Sequence, residues 1–254
     1  MYTRYPDLDG RTAVVTGGSR GIGAETARAL AANGVAVVVN GRDRAALDGV
    51  VASITTQGGR AVAAAGDVTD PDVARVLRIT AEEHFGPVSI VVPFAGGQGR
   101  PVPVEEITIG QWRSTLDSDL TSTFLTVTEF LPGMLERGAG SVVTMASTAA
   151  RQPGLGSIAY AAAKAGVLMF TRHLASQLGP RGIRANAVSP SAVLNDRMRA
   201  AMTDDQLARL AAQFPLRRIG QPADVAEAVL YLASDVSSWV TGVTLDITGG
   251  RVIV

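Results

Sequence analysis

The sequence predicts an α/β fold, with one parallel sheet covered by helices on both faces. Three observations predict it. Short apolar runs rich in Val and Ala alternate along the chain with longer segments of helical periodicity. The runs are continuous rather than alternating in polarity, which is the pattern of strands buried on both sides. No Ser/Pro/Gly linker, charge run or internal repeat divides the 254 residues, so residues 1–254 form a single expected domain.

The elements follow in order. Residues 12–16 make the first strand, and 21–33 the helix after a glycine-rich turn. A second strand at 35–39 leads into a helix at 42–57, and a third strand spans 60–65. Asp70 and Pro71 start a helix running to Phe85, because proline suits a first helical turn. The fourth strand is 88–92, followed by one long helix over 111–137 and a fifth strand at 141–145. A helix at 157–178 precedes the sixth strand, 185–188. Helices at 195–213 and 222–233 precede the last strand, 243–247. Residues 191–216 form a helical insertion placed to act as a substrate lid.

Composition narrows the function. The formal net charge is zero, with 23 acidic and 23 basic residues, which argues against broad nucleic-acid or membrane-surface binding. There is no cysteine, so thiolate chemistry is excluded. With two histidines, His84 and His173, no multi-histidine metal centre is expected. Residues 1–10 are polar, and no apolar run reaches membrane-spanning length, so the expected location is the cytoplasm. Trp112 and Trp239 are expected to be structural anchors.

The first strand runs directly into Thr16-Gly17-Gly18-Ser19-Arg20-Gly21-Ile22-Gly23 and then a helix. Glycines allow a tight turn and close backbone approach to a phosphate, and the helix N-terminus offers free N–H groups. This context predicts nucleotide binding. The second strand ends in Asn40-Gly41-Arg42. A carboxylate at its end would bond a ribose 2′-hydroxyl and repel a 2′-phosphate; Asn40 carries no such repulsion, and Arg20 and Arg42 could pair with the phosphate. NADPH is therefore the expected cofactor, with NADH possible.

Lys164 is the only lysine among 23 basic residues. Arginine is a planar fork and lysine a compact ammonium, so a site that keeps the latter uses the ammonium itself. It lies four residues after Tyr160, on the same helical face. A free tyrosine ionises near pH 10; a neighbouring ammonium stabilises phenolate and lets the hydroxyl exchange protons with a carbonyl or alcohol oxygen. Ser147, at the carboxyl end of the fifth strand, can hydrogen-bond the same oxygen.

With these residues in place, nearly the whole chain resembles the short-chain dehydrogenase/reductase family, and the branch that includes 3-oxoacyl-carrier-protein reductases. Residues 16–23 match its TGxxxGxG loop, and Ser147, Tyr160 and Lys164 its catalytic set. The resemblance implies a Rossmann-type, doubly wound sheet of seven parallel strands, in a homotetramer or homodimer. It also implies that Tyr160 is the general acid in reduction, that Ser147 orients the carbonyl, and that Lys164 holds the nicotinamide ribose. Asp67-Val68 matches the pair that contacts adenine, and residues 238–250 resemble the closing strand. The resemblance also assigns Pro190, before the lid, to the cofactor site; Asn195 falls near a threonine that touches the nicotinamide amide in the family and can donate a similar bond.

Three departures stand out. The family's NNAG stretch is Pro93-Phe94-Ala95-Gly96 here, keeping Ala95 and Gly96 but losing two asparagine side chains that brace the sheet. The catalytic asparagine is Asp119, whose negative charge near Lys164 offsets part of the ammonium's effect on Tyr160 and predicts a higher pH optimum for oxidation. Pro-Gly before the lid is Pro190-Ser191. The resemblance implies a small-molecule ketone or alcohol substrate, with 3-oxoacyl or polyketide-like ketones first. Arg137 and Arg181 are candidates to receive an acidic carrier protein. Two alternatives remain: a cofactor-binding member with weak catalysis, and an NAD(P)-dependent alcohol or sugar dehydrogenase. Residues 97–104 and 191–216 are expected to line the substrate pocket.

Overall fold

The structure, a computed structural model, describes residues 2–97, 101–154 and 156–253. Among these, seven strands form one parallel sheet: β1 (Thr12–Thr16), β2 (Ala36–Gly41), β3 (Arg60–Ala65), β4 (Ile90–Pro93), β5 (Gly140–Met145), β6 (Ile183–Pro190) and β7 (Thr244–Ile247). Their order across the sheet is β3-β2-β1-β4-β5-β6-β7. The chain reverses direction across the sheet between β1 and β4, and such a reversal opens a crevice at the carboxyl ends of the strands.

The helices are α1 (Gly21–Ala32), α2 (Arg44–Thr56), α3 (Pro71–Phe85), α4 (Ile109–Leu116), α5 (Ser122–Arg137), α6 (Ile158–Leu178), α7 (Asp196–Ala201), α8 (Asp204–Ala211) and α9 (Pro222–Ala233). Strand alternation sorts the core into two layers. Ala13, Val15, Val37, Val39, Ile90 and Val92 pack with Leu30 of α1, Leu47 of α2 and Leu230 of α9. Val14, Val38, Val91 and Val142 face the other way, onto Leu77 of α3, Phe130 of α5 and Leu174 of α6. β1 is buried at every position, as the centre of a doubly covered sheet requires.

The expected elements are present, and several bounds differ for local reasons. Asp43 accepts a hydrogen bond from the Ala46 N–H and caps α2, so Arg42 stays in the loop before the helix. β2 runs on to Gly41 because Asn40 and Gly41 pair with Ala64 and Ala65. β4 includes Pro93, which stands in register with Thr16. The long helix expected over 111–137 is in fact α4 and α5 joined by one π-helical turn, Asp117–Thr121, and it starts earlier because Thr108 and Gln111 form a capping box. A second capping box, Thr203 with Gln206, divides the expected 195–213 helix into α7 and α8. β6 is longer than expected, since all of residues 140–145 pair with 183–188.

Candidate active site

The loop between β1 and α1 is shaped by backbone crowding. Gly17 has φ +63°, and a Cβ there would overlap the Phe94 carbonyl. A Cβ on Gly23 would overlap the Gly17 carbonyl. The Gly18 N–H donates to the Asn40 carbonyl at 2.8 Å, tying the loop to β2. Arg20 stands at the N-cap of α1 with extended backbone and no side-chain cap, so the first N–H groups of the helix around Gly21 and Ile22 have no such partner.

At the end of β2 the structure corrects the expected discriminator. Asn40 is 1% exposed, and its amide donates to the Ala64 and Gly66 carbonyls at 2.9 and 3.2 Å. Alternation along the strand turns this side chain into the sheet edge and leaves Gly41 next to the glycine loop, where an added Cβ would lie 3.2 Å from the Ser19 Cβ. Arg20 pairs with Asp43 at 3.0 Å and Arg42 with Asp67 at 3.6 Å. Burial raises the Asp67 carboxyl, but hydrogen bonds from the Thr69 N–H and hydroxyl, with the Arg42 charge, outweigh it and hold the group below the usual carboxylate range. Val68 beside it is buried.

Ser147, Tyr160 and Lys164 are placed by β5 and α6. Ser147 lies two residues past the end of β5; its hydroxyl oxygen accepts from the Ala149 N–H at 3.2 Å and leaves its own proton to donate. Arg151 holds this turn to β7 through Asp246 at 3.1 Å. Ser157 caps α6 by accepting from the Tyr160 N–H at 3.2 Å, which seats the tyrosine in the first turn. One turn on, the Lys164 ammonium lies 5.6 Å from the Tyr160 ring centroid. Lys164 is 2% exposed and donates to the Met145 carbonyl at 3.0 Å.

Asp119 lies inside the π-helical turn and is fully buried. Such turns inside helices recur at functional sites, because they re-aim a side chain without ending the helix. Its Oδ1 lies 3.1 Å from the Lys164 Nζ and accepts from the Gly97 N–H at 2.7 Å. Its Oδ2 accepts from the Ser118 hydroxyl at 2.8 Å. Gly96 has φ +124°, and a Cβ there would overlap the carboxylate. Beyond β4 the Ala95 N–H donates to the Thr16 hydroxyl at 3.1 Å, tying this stretch to β1, and Phe94 is buried in the core.

Pro190 ends β6 in register with Ile247. Asn195 is occupied as the N-cap of α7, accepting from the Met198 N–H at 3.0 Å. Residues 191–216 are tied down at both ends. The Leu194 N–H donates to the Gly220 carbonyl at 2.8 Å, and the Leu216 N–H to the Gly249 carbonyl at 3.2 Å. Phe214 is 2% exposed. Of the segment 97–104 expected to line the pocket, residues 98–100 lie outside the described residues.

Two placements differ from those that sequence proximity suggests. Arg137 and Arg181 precede the starts of β5 and β6, so in this chain they lie at the amino edge of the sheet, opposite Tyr160; Arg137 donates to the Val88 carbonyl. Helix C-termini in a parallel sheet return to the amino edge, which sequence proximity to α6 concealed. Trp239 is 99% exposed and anchors nothing; it borders a cavity of about 640 Å³ with Arg11 and Arg184 at that same edge. A second cavity, of about 560 Å³, lies beside Arg4 and Asn33. Neither contains a predicted site residue.

The family model described as enoyl-(acyl carrier protein) reductase matches residues 17–251. The chain belongs to the short-chain dehydrogenase/reductase family. This short-chain dehydrogenase/reductase is 35% identical over 245 residues to the 7alpha-hydroxysteroid dehydrogenase of Escherichia coli strain K12, spanning 96% of this chain and 95% of that protein. It is 37% identical over 249 residues to a Synechocystis 3-oxoacyl-(acyl-carrier-protein) reductase, spanning 97% and 98%. A solved 3-oxoacyl-(acyl-carrier protein) reductase from Brucella melitensis with bound NAD superposes with a TM-score of 0.89 at 33% identity, covering 98% of this chain and 94% of that one. The protein is an NAD(P)-dependent oxidoreductase of hydroxyl and keto groups. No helix among the described residues is long and apolar enough to cross a membrane.

Sequence reasoning missed Gly41, Met145 and Ser157 as parts of this edge, and placed Gly97 in the expected pocket lining without its bond to Asp119. Ser157 carried a signal, since a serine three residues before the tyrosine on a helix start is a cap. Met145 acts through its backbone carbonyl and carried none.

Proposed function

We propose that this enzyme binds NADP(H) along the carboxyl edge of the sheet and reduces a ketone to a secondary alcohol, with 3-oxoacyl thioesters and polyketide-like ketones as the leading substrates. The observation that carries the reading is the Tyr160–Lys164 pair on one face of α6, with the ammonium 5.6 Å from the ring and Ser147 at the adjoining strand end. The cofactor fits this chain: Gly17 and Gly23 let the loop close tightly on its own backbone, while a Cβ at Gly21, the first residue of α1, would meet no atom within 4 Å, so the start of the helix opens onto free space. Gly17, Ser19, Arg20, Gly21, Ile22 and Gly23 would hold the pyrophosphate side, Asp67 and Val68 the adenine side, and Ala95, Gly96 and Pro190 the nicotinamide side.

When bound, the cofactor supplies or accepts a hydride. Ser147 donates a hydrogen bond to the substrate carbonyl and fixes it. Tyr160 gives its hydroxyl proton to the same oxygen, and in the reverse direction takes it back. Lys164 has three donors, two of them engaged by Met145 and Asp119, and the third is available to the nicotinamide ribose. NADP(H) is favoured over NAD(H) because Gly41 brings no carboxylate, while Arg20 and Arg42 flank the loop in exposed pairs that a phosphate can displace. Asn40 contributes through its backbone carbonyl, not its amide.

The working unit we infer is one domain, residues 1–254, with 191–216 as lid, acting in the cytoplasm as a homodimer or homotetramer. Exposed Phe124 and Met169 on α5 and α6 support the assembly. The test is oxidation of NADPH and of NADH across a ketone panel that includes 3-oxoacyl thioesters. Tyr160→Phe should lose about 10²–10⁴-fold in kcat with unchanged NADPH affinity. Turnover that survives this substitution overturns the assignment.

A further inference from the structure

We propose that Asp119 sets the redox preference of the cofactor site, favouring the oxidised cofactor over the reduced one. The inference rests on the reading that Lys164 meets the nicotinamide ribose.

The two cofactor forms differ by one positive charge, carried on the oxidised nicotinamide ring. A site whose nearest fixed charge is an ammonium repels that ring and favours the neutral reduced form. Here the ammonium has a carboxylate 3.1 Å away, so the pair is neutral where an asparagine would leave a net charge of about one. The side chains are 3% and 0% exposed, so solvent screens neither. The carboxylate is also fixed in place. Gly97 and Ser118 donate to its two oxygens at 2.7 and 2.8 Å, and the backbone at Gly96 closes over it. It cannot swing away when the cofactor arrives. A ligand pair is discriminated only by what differs between its members, and a held negative charge acts on the ring charge alone. Asp119 is thus a positioning residue for the lysine and the source of this bias. The consequence is an enzyme that, acting as a reductase, is inhibited by its oxidised cofactor more than an asparagine at this position would allow.

The experiment measures dissociation constants of NADP⁺ and NADPH, by titration calorimetry, for the wild type, Asp119→Asn and Asp119→Glu. Asp119→Asn is expected to weaken NADP⁺ by about five- to tenfold relative to NADPH, and Asp119→Glu to keep the wild-type ratio. If Asp119→Asn weakens both forms equally, or changes neither, the inference is overturned while the cofactor assignment stands. If Asp119→Asn does not fold, the same ratio is read in Asp119→Ser with the same expectation. Wild-type protein that binds neither form overturns the functional reading itself.

Discussion

Near Tyr160, Lys164 and Asp119 sit 3.1 Å apart with side chains 3% and 0% exposed. At the outer end of the same sheet edge, Arg20–Asp43 and Arg42–Asp67 sit 3.0 and 3.6 Å apart, with side chains between 47% and 72% exposed. The chemistry is the same and the consequences are opposite. A buried pair has lost its water and each member depends on the other. An exposed pair keeps its water, contributes little, and is easily exchanged for another anion. The inner pair is therefore suited to hold a reacting geometry, and the outer pairs to be given up when a ligand binds.

The sharpest way to break this contrast is to strand one member of each pair. Lys164→Ala leaves the Asp119 carboxylate buried without its cation and is expected to destabilise the fold by about 3–5 kcal/mol in urea unfolding. Lys164→Met combined with Asp119→Leu should recover most of that loss, because it removes both charges. Asp43→Asn should stay within about 0.5 kcal/mol of wild type. Equal losses for Lys164→Ala and Asp43→Asn would mean that burial does not separate the two regions.

A middle-sized effect concerns ligand exchange. Replacing both Arg20 and Arg42 by Ala is expected to weaken NADPH about 10- to 100-fold and NADH less than about twofold, since each guanidinium offers a charge-assisted bond to the 2′-phosphate. Parallel loss of both cofactors would assign the arginines to general phosphate attraction.

The smallest effect tests the outer type of pair just past the 191–216 segment. Arg218 holds Asp224 through two bonds of 2.5 and 2.7 Å, and Asp224 also accepts from the Gln221 N–H at 2.6 Å. The Arg218 hydrogen bond keeps the Asp224 carboxyl below its usual range against the opposing effect of burial. A carboxyl lowered by folding stabilises the fold fully above its unfolded value, near pH 4, and that contribution is lost as pH falls through the lower folded value. Asp224→Asn should therefore cost up to about 1 kcal/mol at pH 7, with the gap to wild type closing below pH 4 in thermal melts. A gap that is constant with pH would make the effect steric.

The parts of this protein that could be read in advance are those whose signal is local. Continuous apolar runs between helical periods specified a parallel sheet, because burial on both faces leaves no polar side. The glycine loop was legible since strand, turn and helix are contiguous. Tyr160 and Lys164 were legible since four residues is one helical turn. The two Thr-x-x-Gln caps were also readable, and overlooking them merged α7 with α8 and started α4 late.

Other features depend on segments far apart in the chain. Asn40 turns inward because β3 offers it the Ala64 and Gly66 carbonyls, and only strand pairing reveals that. The Asp119 carboxylate meets Lys164 and the Gly97 N–H because a π-helical turn, a loop and α6 converge. Arg137 and Arg181 lie away from Tyr160 because each helix returns the chain to the opposite edge. Residue types and short-range spacing by themselves established the fold class and the juxtaposition of Tyr160 with Lys164. Which atoms face one another across the sheet, and which charges are buried together, followed from packing, because burial and backbone pairing are properties of the assembled chain.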